Sequence, residues 1–136
     1  MTVLVDTNIV LDVLCKRESF YEDAAKVMKC CEINKITGVI SAMTIPNIVY
    51  IMRKELDAQR TKEIIDKLLL VFTVADLNSD DIKKALAMNF TDFEDALQSA
   101  CAARIKANYI ITRNIKDFTG SCVTAIKPAE LMDILI

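Results

Sequence analysis

Five short apolar runs, each of strand length and each separated from the next by a helical pattern, constrain this chain more than any other feature of its sequence. The runs are "TVLV", "ITGVIS", "VFTVA", "YIIT" and "CVTAI". A helix begins near Asn8 after the first run, and "YEDAAKVMKCCEIN" carries helical spacing before the second. Helices from about Thr44 to Leu56 and from about Gln59 to Leu69 precede the third. "SDDIKKALAM", with Ser79 as its cap, and a helix from Thr91 to about Ala107 precede the fourth. "PAELMDIL" closes the chain with Pro128 in its first turn. Strands that alternate with helices form a parallel sheet covered on both faces. The expected fold class is therefore α/β: a three-layer α/β/α arrangement around a central parallel sheet of about five strands. With 136 residues and only two glycines and two prolines, the sequence predicts one domain over residues 1–136, with no linker.

Composition removes several kinds of chemistry. The chain contains no histidine, which excludes Ser-His and Cys-His catalysis, histidine bases and most transition-metal sites. Five cysteines without CxxC spacing read as free thiols in a reducing compartment. The net charge of −2 gives no footprint for nucleic acid, so such a partner must meet a local basic patch. No apolar run reaches the roughly 18 residues a membrane helix needs, and "MTVLVDTN" lacks an export signal, so no membrane association and a cytoplasmic location are expected.

Acidic residues fall at three telling places. In "TDFEDALQSA" Thr91 and Glu94 match a capping box, and acids in a first turn suit the helix dipole. Asp95 lies about 60° around the helix from Asp92 and has no basic residue three or four positions away. It is either an ordinary first-turn acid or a ligand. Asp6 ends the first strand, where it either caps the next helix or faces a ligand, because ligands of parallel sheets sit beyond the carboxyl ends of strands. Asn114 and Asp117 follow the fourth strand at the same edge; alone they read as turn residues. Jointly, Asp6, Asp95 and Asp117, with Asp92 nearby, come from distant segments to one side of the expected sheet. Gathered carboxylates repel one another unless a cation neutralises them, and oxygen-only ligands suit Mg²⁺ or Mn²⁺. Such ions activate water and support phosphoryl displacement.

The segments "VLVDTNIVLDVL", "TDFEDALQSACA" and "YIITRNIKDF", with "ISAMTIPNIVYIMRK" between the first two, resemble a PIN domain across essentially the whole chain. The resemblance implies a parallel sheet flanked by helices. It also implies a Mg²⁺- or Mn²⁺-dependent ribonuclease, a group that includes the toxins of toxin–antitoxin pairs. Carried over by motif, Asp6, Asp95 and Asp117 would be catalytic metal ligands, with Asp92 a secondary acid. Asn8, Thr112 and Asn114 would support the site. The family usually places a glutamate where this chain has Asn47, which offers a carbonyl oxygen but no charge. RNA, an antitoxin protein and a second copy of the chain are the partners the resemblance implies. Arg53, Arg113 and Lys116 are candidate contacts to RNA phosphate, as is Lys54, although any one of them taken singly reads first as solvated surface charge. Asp12, six residues past Asp6, reads as structural or peripheral.

Two other functions compete. Asn47 motivates a non-catalytic PIN-like module that binds RNA or protein. A phosphatase of the haloacid dehalogenase type also needs an aspartate after a strand, but requires a second one where Asn8 stands. Nucleotide loops are excluded, since Gly38 and Gly120 are the only glycines.

Overall fold

In the computed structural model, which describes residues 1–136, five parallel strands form one sheet in the order β3-β2-β1-β4-β5. They are β1 (Thr2–Val5), β2 (Thr37–Ser41), β3 (Thr73–Ala75), β4 (Tyr109–Ile111) and β5 (Ala125–Ile126). Seven helices connect and flank them: α1 (Thr7–Leu14), α2 (Tyr21–Glu32), α3 (Thr44–Ile51), α4 (Ala58–Val71), α5 (Ser79–Ala87), α6 (Phe93–Arg104) and α7 (Pro128–Leu135). A 3-10 turn spans Ile115–Phe118. The chain builds the sheet outwards from β1 through β2 to β3, then returns to the other side of β1 with β4 and β5. The reversal lies between β1 and β4. In open parallel sheets the crevice beyond the strand ends at such a point is where ligands bind.

Alternation along β1 explains why both faces are covered. Val3 and Val5 enter the larger core with residues of α1, α2, α3, α4 and α7, whereas Leu4 enters a second core with Cys101 and Ala102 of α6 and Phe118. All three are fully buried. The α5–α6 pair is locked by Asp81, which is fully buried. Its carboxylate accepts from Arg104 Nε at 3.0 Å and from the amide of Asn78, while Asn78 Oδ1 accepts from the Asp81 amide. This reciprocal box makes Asn78, not the expected Ser79, the cap of α5.

The remaining element differences are local. The run "VFTVA" is not all strand, because Val71 closes α4 and Phe72 caps it. "CVTAI" pairs only through Ala125 and Ile126. The helix expected to reach Leu56 stops at Ile51, which leaves Arg53 and Lys54 in the following turn.

Gly38 on β2 is required by packing. A Cβ there would lie 2.3 Å from Cys31 Sγ and 3.0 Å from Phe72 Cδ1. Overpacking of this kind costs about 1–3 kcal/mol. Gly38→Ala is therefore expected to lower stability by about that amount in urea unfolding. Removing the sulfur in Gly38→Ala/Cys31→Ala should recover part of the loss, because the two sites share one space.

Candidate functional site

Asp6 leaves β1 at the sheet reversal, with its amide donating to Ile111 O of β4 at 3.0 Å. It occupies the cap position of α1, yet its side chain makes no capping hydrogen bond. The carboxylate is instead held by Thr112, whose Oγ1 donates to Asp6 Oδ2 at 2.9 Å. Thr112 Oγ1 in turn accepts from the Asn114 amide at 3.1 Å, fixing the start of the loop that carries Asp117. Asp6 is only 6% exposed and Thr112 is fully buried. Burial pushes the Asp6 carboxyl above its ordinary range, opposed first by the Thr112 hydrogen bond and then by the nearby polar groups of Thr7 and Gln98 and the positive charge of Arg113.

Asp95 reaches the same crevice from α6. The expected capping box of Thr91 and Glu94 does not form. The cap lies one residue later, where Asp92 Oδ1 accepts from the Asp95 amide at 3.1 Å. Asp95 thus occupies the third position of the helix, half-buried, and its carboxyl is raised from 3.8 to about 7. Burial is the main cause, followed by repulsion from Asp92, Asp6, Asp117 and Glu94. Those four acids therefore all act on Asp95, and no arginine or lysine pairs with it.

Two adjoining cavities share Asp92, Asp95 and Asp117 in their walls. One, of about 330 Å³, also meets Asp6, Asn8, Asn47, Gln98 and Asn114. The other, of about 460 Å³, opens towards Lys116. Asn47 lies on α3, whose start is joined to that of α1 by a 2.9 Å hydrogen bond between the Thr7 and Thr44 hydroxyls. No three acidic or cysteine side chains stand close enough together to hold an ion between them.

The basic residues divide. Lys116 lines the rim. Arg53 remains exposed but folds back, donating to Tyr50 O at 2.7 Å with its guanidinium 4.1 Å from the Tyr50 ring centroid. Arg113, expected as a phosphate contact, is committed elsewhere. It donates twice to the fully buried Asp12, at 2.7 and 3.1 Å, and stacks 3.9 Å from the Phe20 ring centroid. A carboxylate with no water around it needs such a fork, and Arg supplies one with matching geometry. Arg17 adds longer contacts of 3.4 Å to Asp12 and to Asn8 Oδ1. Asp12 thus anchors both Asn8 and the Thr112–Asn114 segment. Gln98, buried on α6 and in the cavity wall, had no role in the sequence reading; its place three residues after Asp95 was the available signal.

A family model described as the PIN domain matches residues 2–116. The chain belongs to the PIN domain family. Its fold resembles a toxin–antitoxin complex from Klebsiella pneumoniae, at 25% identity and a TM-score of 0.70 over 93% of this chain and 97% of that one. It also resembles VapBC2 from Rickettsia felis, a structure bound to a DNA fragment from its promoter, at 18% identity and a TM-score of 0.68 over 93% and 98% of the two chains. A third likeness is to VapC20 from Mycobacterium tuberculosis, described as a Sarcin-Ricin loop cleaving toxin, at 14% identity and a TM-score of 0.63 over 79% and 86%. No curated protein sequence matches the chain. No helix of this PIN domain is long and apolar enough to cross a membrane.

Because folding raises the Asp95 and Asp6 carboxyls, the folded chain binds more protons than the unfolded one between pH 3.8 and about 7. This contribution to stability is complete below the unfolded value and is lost as pH rises through that window. In the metal-free protein Tm should fall from pH 4 to pH 7, and Asp95→Asn should make the fall shallower. Arg113→Ala, which strips a buried carboxylate of its fork, should cost about 3–5 kcal/mol in urea unfolding. Arg17→Ala should cost at most about 1 kcal/mol, since its contact is longer and partly solvated.

Proposed function

We propose that this PIN domain is a Mg²⁺- or Mn²⁺-dependent endoribonuclease, and that it serves as the toxin of a toxin–antitoxin pair. The observation that carries the reading is the accumulation of unpaired carboxylates around Asp95 at the sheet reversal. A half-buried acid raised to about 7 by burial and, after it, by acidic neighbours is a site in want of positive charge. The donor set fits a hard divalent ion, because every candidate ligand is oxygen. Mg²⁺ keeps several waters and is bound through one or two carboxylates, so the lack of a tight triad agrees with a hydrated ion.

Asp6 and Asp95 would hold the ion, with Asp117 and Asp92 around it. Thr112 occupies Asp6 Oδ2 and so leaves Oδ1 for the ion. When bound, such an ion would lower the pKa of a coordinated water so that hydroxide is available as the nucleophile, and would offset negative charge on the phosphate oxygens. The chain's own contribution is orientation. Thr112 and Asn114 fix Asp6 and the Asp117 loop, Asn47 offers a neutral amide in the same cavity wall, and Lys116 at the rim would contact an RNA phosphate. Arg53 and Lys54, beyond α3, are further phosphate contacts in this reading. Arg113 acts on RNA only through Asp12.

The toxin assignment is supported by the similarity to the Klebsiella pneumoniae toxin–antitoxin complex, and the choice of RNA by the activity stated for VapC20. An antitoxin protein and a second copy of the chain are the expected protein partners, and the cytoplasm the expected compartment. Asn47, neutral where the family usually has glutamate, favours one alternative: a PIN module that binds RNA without cutting it.

Asp6→Asn and Asp95→Asn should each reduce Mn²⁺-dependent cleavage of a single-stranded RNA at least 100-fold, on the scale expected for lost electrostatic stabilisation. Circular dichroism should remain that of the parent. Cleavage by both variants at the parent rate rejects the nuclease assignment. RNA binding by the parent without cleavage or Mn²⁺ uptake in calorimetry selects the module instead.

A further inference from the structure

Tyr50 is the most exposed aromatic residue of the chain, at 65%, and it lines the same cavity as Asp6, Asn47 and Asp95. It stands one turn after Asn47 on α3, so the two side chains share a helix face. Its setting is built on one side only. Arg53 Nη1 donates to Tyr50 O at 2.7 Å, which holds the guanidinium 4.1 Å from the ring centroid. A cation over one face braces the ring, and tyrosine has few torsions to fix. The aromatic pair of the chain is Phe90 with Phe118, so no ring covers the second face of Tyr50. Ile51, also half-exposed, extends the same wall. Charge makes such a surface useful here. The two adjoining cavities are walled by five acids, Asp6, Asp92, Glu94, Asp95 and Asp117, and by one lysine, Lys116. A single divalent ion leaves that balance negative, so phosphate contacts attract a polynucleotide less than they do in a basic groove. Stacking of bases on aromatic planes is the other source of affinity, and unpaired bases are the ones free to supply it.

We propose that Tyr50, braced by Arg53, is a stacking platform for one unpaired nucleobase of the RNA, beside the phosphate held at the acids. This deepens the nuclease reading and rests on it: the substrate class narrows to RNA with an unpaired base at the cleavage position. The base lies on the open face of the ring, opposite the guanidinium. Paired RNA keeps its bases stacked within the helix and offers nothing to that face. Because every base has a flat face, the platform selects for an unpaired strand and not for a particular base.

The test compares the parent protein with Tyr50→Leu and Tyr50→Phe on a short single-stranded oligoribonucleotide and on its duplex. Fluorescence anisotropy reads RNA affinity, and Mn²⁺-dependent cleavage reads KM and kcat. Tyr50→Leu is expected to weaken binding and raise KM about 5- to 150-fold, the range for one lost base stack. Its kcat should change little, the mark of binding lost equally from ground state and transition state. Tyr50→Phe keeps the flat face and should match the parent. An oligomer made abasic on both sides of the cleaved bond should bind the parent as weakly as the intact oligomer binds Tyr50→Leu. Since the ring is exposed, both variants should keep the parent's Tm and Mn²⁺ affinity. RNA affinity of Tyr50→Leu equal to the parent's overturns the proposal, as does a Tyr50→Phe variant as impaired as Tyr50→Leu, or a duplex bound as tightly as the single strand. Loss of self-association in Tyr50→Leu, read by sedimentation, also overturns it, since the ring would then belong to an interface between copies. A parent that neither binds nor cuts RNA removes the nuclease reading and this inference together; a parent that cuts RNA beside a Tyr50→Leu variant of equal KM removes the inference alone.

Discussion

The hydrogen bond from Thr112 to Asp6 joins the two strands between which the sheet reverses. Everything at the site is placed relative to it. The backbone pairing of β1 with β4 brings Val5 opposite Ile111, so the next residue of each strand leaves the sheet at the same level. One of those residues is an acid and the other a hydroxyl donor, and they meet at 2.9 Å. The donor's oxygen then orders the Asn114 amide, so a single side chain couples strand end, acid and loop. A parallel sheet supplies this for little, because neighbouring strands end together at one edge.

The chain treats its buried acids in two ways. Asp12 and Asp81 are fully buried, and each has an arginine fork or edge directed at it. Both serve architecture: Asp81 joins α5 to α6, and Asp12 joins α1 to the segment after β4. Asp6 and Asp95 receive no arginine at bonding distance. The Thr112 hydroxyl donates to Asp6 instead, and Asp95 is left among other acids. The distinction is physical. A paired acid is finished, whereas an acid held by neutral donors keeps its charge available.

The layer architecture was legible because both of its causes are local. Apolar runs of strand length and the absence of linkers leave few alternatives to a covered parallel sheet. Positions of Asp6, Asp95 and Asp117 along that sheet were legible for the same reason, since each follows a strand or opens a helix. Three things were not. The α6 cap depends on where the chain turns, so Thr91 and Asp92 were interchangeable on paper. Arg113 seemed a surface cation because its partner, Asp12, lies 101 positions away. Gln98 looked like one more helix former, and only burial sets it apart. The last two misses concern packing between segments, which spacing along a single helix cannot report.

Asp92 closes α6 with one carboxylate oxygen while its side chain edges both cavities. Helix capping and rim charge thus draw on one residue. Selection for a sturdier helix opening and selection for a different rim charge act on the same codon, and neither can be changed freely without the other. Asparagine keeps the cap and gives up the charge, so a single substitution would neutralise this part of the rim in a chain that still folds.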